Sequence, residues 1–597
     1  MRFVRHCSLA ALVVLAVVPA AAGQQVIQIG PGPEIPPGMP GGRPFKTGTG
    51  RIAGRVLAAE SGSPIRRAQV RINSPDIGMK TSLTDAQGRY EFHDLPAGRF
   101  NLHASKSGYV NVQYGQTRPF ESGRPIELAD RQVMEKADFN MPRGSIIAGR
   151  IVDEFGEPVA DVMVSAMRQT WAGGRRRLVP GGRPAQTNDL GQFRLYGLPP
   201  GDYYVSASLR NMESFMFDVA GPGGPSGSSP ASGYAPTYFP GTASPSDAQK
   251  VSVAVGQEAQ QTDFALVPTR LSRITGVAMG ADGKPLEGAM VNAVPQNRGG
   301  DLGAMMMSAS GRTTKDGNFT LNGVAPGEYL LNVRSMRVTS GDGPAGGVMF
   351  TAAMTEDAEF ASLPLTVAGE DLSNVVVIAS KGASAAGRVS FEGGTKPDNL
   401  TSIRVSAQAA DPMDGPMMMG PMPMGGGQVK ADGTFELKGL SGTRLFRAFN
   451  LPNGWMLKAV RVGGDEVTDT GVEFKPGQHL ANVEVVVTSR VTEVNGSVTA
   501  AEGAALKDYT VVIFSDDPQH WALPMSRWVT GARPDQEGRF QVRNLPPGSY
   551  YAAAVDYVEM GAWSDPDLLE RLKTSASRFT LGDGESQTLN LKLTLTQ

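Results

Sequence analysis

Cysteine is almost missing from this chain of 597 residues. Its one copy, Cys7, precedes an apolar run at the N-terminus and leaves with that segment if the segment is removed. A mature chain without cysteine has neither disulfides nor thiolate metal ligands. Histidine is scarce too. Beyond His6 there are only His93, His103, His479 and His520, and none falls in a His-x-x-Glu or His-Glu-x-x-His spacing. Zinc hydrolysis needs such spacing. An excess of either charge is lacking: 56 Lys and Arg face 58 Asp and Glu. That balance leaves no electrostatic footprint for nucleic acid. No run after residue 23 approaches the ~20 apolar residues of a membrane-spanning helix. A Gly-x-Ser-x-Gly elbow, a phosphate loop and a dinucleotide fingerprint are all absent. No cofactor or metal is implied.

The N-terminus reads as an export signal over residues 1–23. Arg2 and Arg5 supply the positive region, residues 9–18 the apolar region, and 19–23 the small residues before a cleavage point, with Gln24 as the mature start. Left uncleaved, the same segment would be an anchor. Losing the two arginines takes the formal charge from −2 to −4. Residues 24–50 are rich in Pro and Gly and are expected to form an extended tether. The mature protein is expected outside the cytoplasm, periplasmic or at the cell surface.

Glycine (74) and proline (43) are abundant, as turn-rich β proteins require. They mark a phrase that recurs at 85–100, 189–203, 316–329, 432–445 and 535–550. It runs Asp, a Gly turn, alternating apolar residues, then Leu or Val, Pro, Gly and an aromatic. A strand precedes each copy, built on Gly54-Arg55-Val56, Gly149-Arg150-Ile151, Gly276-Val277, Gly387-Arg388-Val389 and Gly496-Ser497-Val498. Period-two patterning and regular turns predict a tandem array of about five Ig-like or transthyretin-like antiparallel β-sandwiches with no helical core. The expected units are 51–144, 145–269, 270–382, 383–490 and 491–597. One helix is expected, starting at Pro566 with Asp565 as its N-cap.

The pattern Gly-x-Val…Pro…Ala-x-Val…Asp-x-x-Gly-x-Phe-x-Leu-x-x-Leu-Pro-Pro-Gly-x-Tyr resembles the carboxypeptidase regulatory-like domain. Residues 149–203 give the cleanest copy. The resemblance implies a transthyretin-like, carbohydrate-binding-like sandwich that catalyses nothing itself. Unit four departs from it: Leu440-Ser441-Gly442-Thr443 lacks the proline. Tyr238-Phe239-Pro240-Gly241-Thr242 and the segment after Gly454-Trp455 resemble exported multi-unit proteins of soil bacteria.

Candidate sites are few. The repeated Asp residues (Asp85, Asp189, Asp316, Asp432, Asp535) suit Asx turns better than calcium, which wants several converging oxygens. Asp516/Asp517 and Asp565/Asp567 are carboxylate pairs with nothing to fix their separation. His93 and His103 read as partly buried strand residues. The methionine runs at 305–307 and 417–424 read as contact loops rather than cuprous sites. Trp521, Trp528, Trp563 and Tyr557 cluster in the loops of unit five, and exposed rings there would stack on a saccharide. The expected function is a non-catalytic, exported binding or spacer protein, with polysaccharide or a cell-envelope protein as partner. The alternatives are an accessory module of a separate extracellular peptidase or glycoside hydrolase, or a hydrolase with an unrecognised site in unit five.

Overall fold

A computed structural model describes residues 45–172, 174–209, 232–296, 309–335, 337–342, 348–353, 359–410, 426–523 and 525–594. The export signal, the tether up to residue 44, both methionine runs and the loop 221–231 lie outside them. The names unit one to unit five are kept for the segments given above.

The chain is all-β and multidomain, with no helical core. In unit one, strand Gly50–Ala58 pairs antiparallel with Arg89–Leu95 on one side. On the other it pairs in parallel with Val133–Met134 and Phe139–Met141. The facing sheet runs Gly78–Leu83, Gln69–Ser74, Gly98–Ser105 and Val112–Gln113. Ile52, Val56, Val70, Ile72, Leu95 and Phe100 fill the space between the sheets. The other four units repeat the plan. Their first strands, Ser145–Val152, Ser272–Met279, Ala383–Glu392 and Glu493–Thr499, each lie between an antiparallel neighbour and the unit's closing strand. Each sandwich is thus antiparallel apart from the parallel pairing of its first strand with its closing segment, and in unit five the closing strand also pairs in parallel with Gly548–Val555, joining the two sheets.

That parallel pairing explains the glycine in Gly-x-Val. A Cβ on Gly54, Gly149, Gly276, Gly387 or Gly496 would run into the carbonyl oxygen of Ala137, Thr262, Val375, Val483 or Leu589 on the closing strand. Five glycines therefore mark five close backbone approaches.

The repeated phrase folds as a single hairpin turn five times over. The amides of Gly88, Gly191, Gly317, Gly433 and Gly538 donate to the carbonyls three residues earlier, on Asp85, Asn188, Thr314, Lys430 and Asp535. All five glycines have φ between 70° and 87°, the left-handed region. Aligned on this glycine, the residue that opens the turn is Asp85 in unit one and Asp535 in unit five. In unit two it is Asn188, whose Oδ1 accepts from the amides of Leu190 and Gln192, so Asp189 is not the turn residue. Asp316 and Asp432 stand next to the glycine instead. The Gly, and not the Asp, is the fixed point of the repeat.

The aromatic of the phrase also has more work than filling the core. The hydroxyls of Tyr203, Tyr329 and Tyr550 donate to the carbonyls of Pro199, Ala325 and Pro546, four residues back. Each pins the reversal that precedes its own strand. Unit four puts Arg444 there, and its Nε donates to the Ser441 carbonyl. Its turn is one residue shorter, and Gly442 takes φ 64°, whereas Gly98, Gly201 and Gly327 lie at 155–158°. The missing proline therefore marks a different turn that does the same work.

Helix Pro566–Lys573 forms as expected, and the Asp565 side chain accepts from the Asp567 amide. It covers the outer face of strand Thr510–Ser515, which is buried along its whole length. Substituting Gly496→Ala should lower the melting temperature of unit five, at a cost of about 1–3 kcal/mol from overpacking against the Leu589 carbonyl. Differential scanning calorimetry checks this, and an unchanged thermogram would contradict the close approach.

Candidate functional site

Unit five is where the structure departs most from a string of beads. Its loops pack against units one, two and four, and two of the four aromatic candidates, Trp528 and Tyr557, take part in that packing. Trp521 is 4% exposed. It lies edge-on to Phe514, and its Nε1 donates to the Ser515 carbonyl at 2.8 Å. The expectation of an open ring face therefore does not hold for Trp521. Trp563 packs against the same cluster, beside Gly531. Trp528 stacks on His520 at 4.0 Å and on Tyr550 at 5.9 Å. Its Nε1 donates to Oδ2 of Asp469 in unit four at 3.0 Å. The Tyr557 hydroxyl donates to the Pro119 carbonyl of unit one at 2.8 Å, with Arg118 over its ring. Burial and the charge of Glu559 push that hydroxyl up to about 12. The structure thus brings Trp521 and Trp563 together in one apolar cluster. It places Trp528 and Tyr557 at two separate contacts between units.

The charges at these contacts are groups the sequence did not single out. Arg533 is buried, its side chain 2% exposed. Its Nη1 donates to Glu121 of unit one at 2.5 Å, and Glu121 is 1% exposed. Nη2 donates to Asp508 at 2.6 Å and to the Gly115 carbonyl. Around this fork, Arg124 donates to the Asp535 carbonyl, and Thr117 donates to Asp508. The Gln536 side chain both accepts from the Glu127 amide and donates to the Glu127 carbonyl. The repeat's own turn in unit five is therefore a docking element. Phe120, at φ 58°, enters the core of unit two, and the Met560 amide donates to its carbonyl. Arg168 of unit two lies over the Phe120 ring at 3.7 Å and pairs with Glu559 at 2.8 Å.

The contact with unit four centres on Asp469. Burial raises its carboxyl, but the forked hydrogen bonds and charge of Arg527, the Trp528 indole and Arg447 outweigh burial and hold it below the usual carboxylate range. The remaining candidates are dispersed. His93 is exposed on strand Arg89–Leu95, and half-buried His103 lies on Gly98–Ser105 in the facing sheet. Asp516 pairs with Arg578, and Asp517 caps the turn Pro518–His520. Asp565 caps its helix and pairs with Arg176 of unit two. Among the described residues no three His, Asp, Glu or Cys side chains gather as a metal site.

Residues 51–141 and 146–267, most of units one and two, align with a known family. Both stretches match the carboxypeptidase regulatory-like domain. The resemblance read from the repeated phrase holds for these two units, and the regulatory-like pair also contains Glu121, Phe120 and Arg168. No curated protein matches the chain. Among solved structures, a streptococcal ancillary pilin is 13% identical, with a TM-score of 0.19 over 55% of this chain and 98% of its own. A minor pilin of Streptococcus agalactiae is 12% identical, with a TM-score of 0.20 over 37% of this chain and 96% of its own. A putative carbohydrate binding protein from Pseudomonas aeruginosa is 14% identical, with a TM-score of 0.13 over 18% of this chain and 87% of its own. Likeness at this level says nothing about function.

Two outcomes are expected. Glu121→Ala leaves Arg533 buried with half-exposed Asp508 as its one carboxylate, and losing one partner of a buried pair costs about 3–5 kcal/mol. Limited proteolysis should then cut within 115–127, and Glu121→Leu with Arg533→Met should restore much of the protection. A lowered native pKa means that the Asp469 contact stabilises above its ordinary value of 3.8 and is lost as pH falls through the lower native value. The indole N–H resonance of Trp528 in protein labelled at tryptophan should move only in that acid range, and Asp469→Asn should abolish the movement.

Proposed function

We propose that this protein is a non-catalytic, exported scaffold of the cell envelope that holds its five sandwiches in a fixed arrangement and presents their surfaces to a partner. One observation carries the reading. The most deeply buried charged pair described, Arg533 with Glu121, joins residues 412 apart in sequence and is spent on fastening one unit to another. The carboxylate pairs that could have formed a reaction centre are engaged in caps and ion pairs, and Trp528 and Tyr557 in contacts between units. Such investment suits a protein whose product is geometry. The regulatory-like match of units one and two supports the same reading. Export rests on the N-terminal signal pattern of residues 1–23.

The test is cell fractionation, followed by N-terminal sequencing and by assays of the purified protein. The expected result is an envelope or extracellular protein starting at Gln24, cleaved by protease added to intact or osmotically shocked cells, with no turnover of peptide or glycoside substrates. Full-length protein in the cytosol, or sustained turnover of either substrate class, would overturn the proposal.

A further inference from the structure

Units one and two meet along an open groove that belongs to none of the contacts described above. It consists of two adjoining cavities, of about 590 and 630 Å³, which share Glu60 and Arg143. Gly108, Gly144, Gly197 and Gly256 line the first cavity, beside Ile146 and Val255. The closeness of the two units requires the glycine at 144. A Cβ on Gly144 would strike the Cα of Gly197, and the Gly144 amide donates to the Gly108 carbonyl at 3.1 Å.

The walls carry an excess of positive charge. Arg66, Lys106, Arg143 and Arg194 stand against one lining carboxylate, Glu60. Arg194 pairs loosely with Glu258 at 3.7 Å, outside the lining. Arg66, Lys106 and Arg143 have no carboxylate within ion-pair distance among the described residues. Glu60 Oε1 accepts from the Arg143 backbone amide, and its carboxylate is not within ion-pair distance of the Arg143 guanidinium. Other arginines at contacts between units meet acids, as Arg533, Arg168 and Arg527 do, or a carbonyl, as Arg124 does. The excess of positive charge along this groove suits an anionic ligand.

Two aromatic faces complete the lining. Tyr196 is 45% exposed at one end. Tyr109 lies in the other cavity, with the Arg143 guanidinium over its ring at 4.9 Å, which orients the fork at the waist of the groove. An exposed ring, Tyr196, and the Arg143 guanidinium lining the same cavity match a uronate residue, which has an apolar C–H face and a carboxylate edge. Arginine holds a carboxylate in a bidentate fork, and tyrosine offers a flat apolar surface at small entropic cost. The two cavities adjoin at Glu60 and Arg143, so a pyranose chain laid lengthwise spans both.

We propose that this groove binds a carboxylate-bearing polysaccharide segment, with Arg143 as its central anion contact and Tyr196 as its stacking platform. The assignment rests on the scaffold reading and names its ligand class and surface. The experiment is isothermal titration of the purified protein with oligogalacturonate, with neutral malto-oligosaccharide and an oligoglutamate peptide as comparisons. Oligogalacturonate should bind with an affinity that falls as salt rises, and malto-oligosaccharide should not bind. Arg143→Ala and, separately, Tyr196→Ala should each weaken binding about tenfold, the scale of one charged or stacking contact, while the melting temperature stays unchanged. Arg194→Ala, on a well-exposed side chain, gives a third variant if Arg143→Ala disturbs the fold. Absence of oligogalacturonate binding overturns the groove assignment and leaves the scaffold reading standing, since that is judged by location and turnover. Binding that none of the variants weakens places the ligand elsewhere and also overturns it. Equal binding of oligoglutamate overturns the saccharide class.

Discussion

Arg533 is the charge on which the arrangement of this protein depends. A guanidinium cannot be left in a protein interior without partners, and the three it has come from two distant parts of the chain. Glu121 and the Gly115 carbonyl belong to unit one, and Asp508 to unit five. Docking the two units takes Arg533 and Glu121 out of water and supplies these partners in its place. The surrounding contacts, from Gln536 bracketing Glu127 to Tyr557 reaching Pro119, assume that alignment. Phe120 extends it by placing a ring of unit one against the core of unit two, under Arg168.

The same fact explains how the five repeats diverge without losing their fold. What each sandwich needs is small and local: a glycine where the closing strand passes, a left-handed glycine in the hairpin, and a group that ties back the reversal. Where a unit drops one device, another takes its place, as Arg444 does for the tyrosine of units two, three and five. The rest of the surface is then free to specialise. Unit five spends this freedom on docking and on a second apolar layer, units one and two on the groove between them.

The fold was largely legible because its determinants are local. Hairpin turns, alternating strands and the Asp565 cap depend on residues within one or two turns of chain, and their spacing is visible in a single sequence. Asp189 lies one residue past the start of its turn because backbone geometry aligns the repeats on glycine and not on a polar residue. The burial of Trp521 also had a signal. Val511, Val512, Ile513 and Phe514 form an unbroken apolar run, as a strand covered on both faces does. Arg533 with Glu121, and Asp469 with Arg527, had none. Pairs separated by 412 and 58 residues are created by the docking of whole units, and no spacing rule reaches that far.

The parallel pairing of first and last strands has a mechanical side. Because the two run in the same direction, the chain enters each sandwich at one end and leaves from the other. Tension applied through the chain would pull the paired strands past each other along their length. All the hydrogen bonds between them would then share the load at once, instead of opening one after another as in a peeled hairpin. The crowded glycine crossings would sit at the centre of that clamp. Each unit is thus built to resist stretching along the chain.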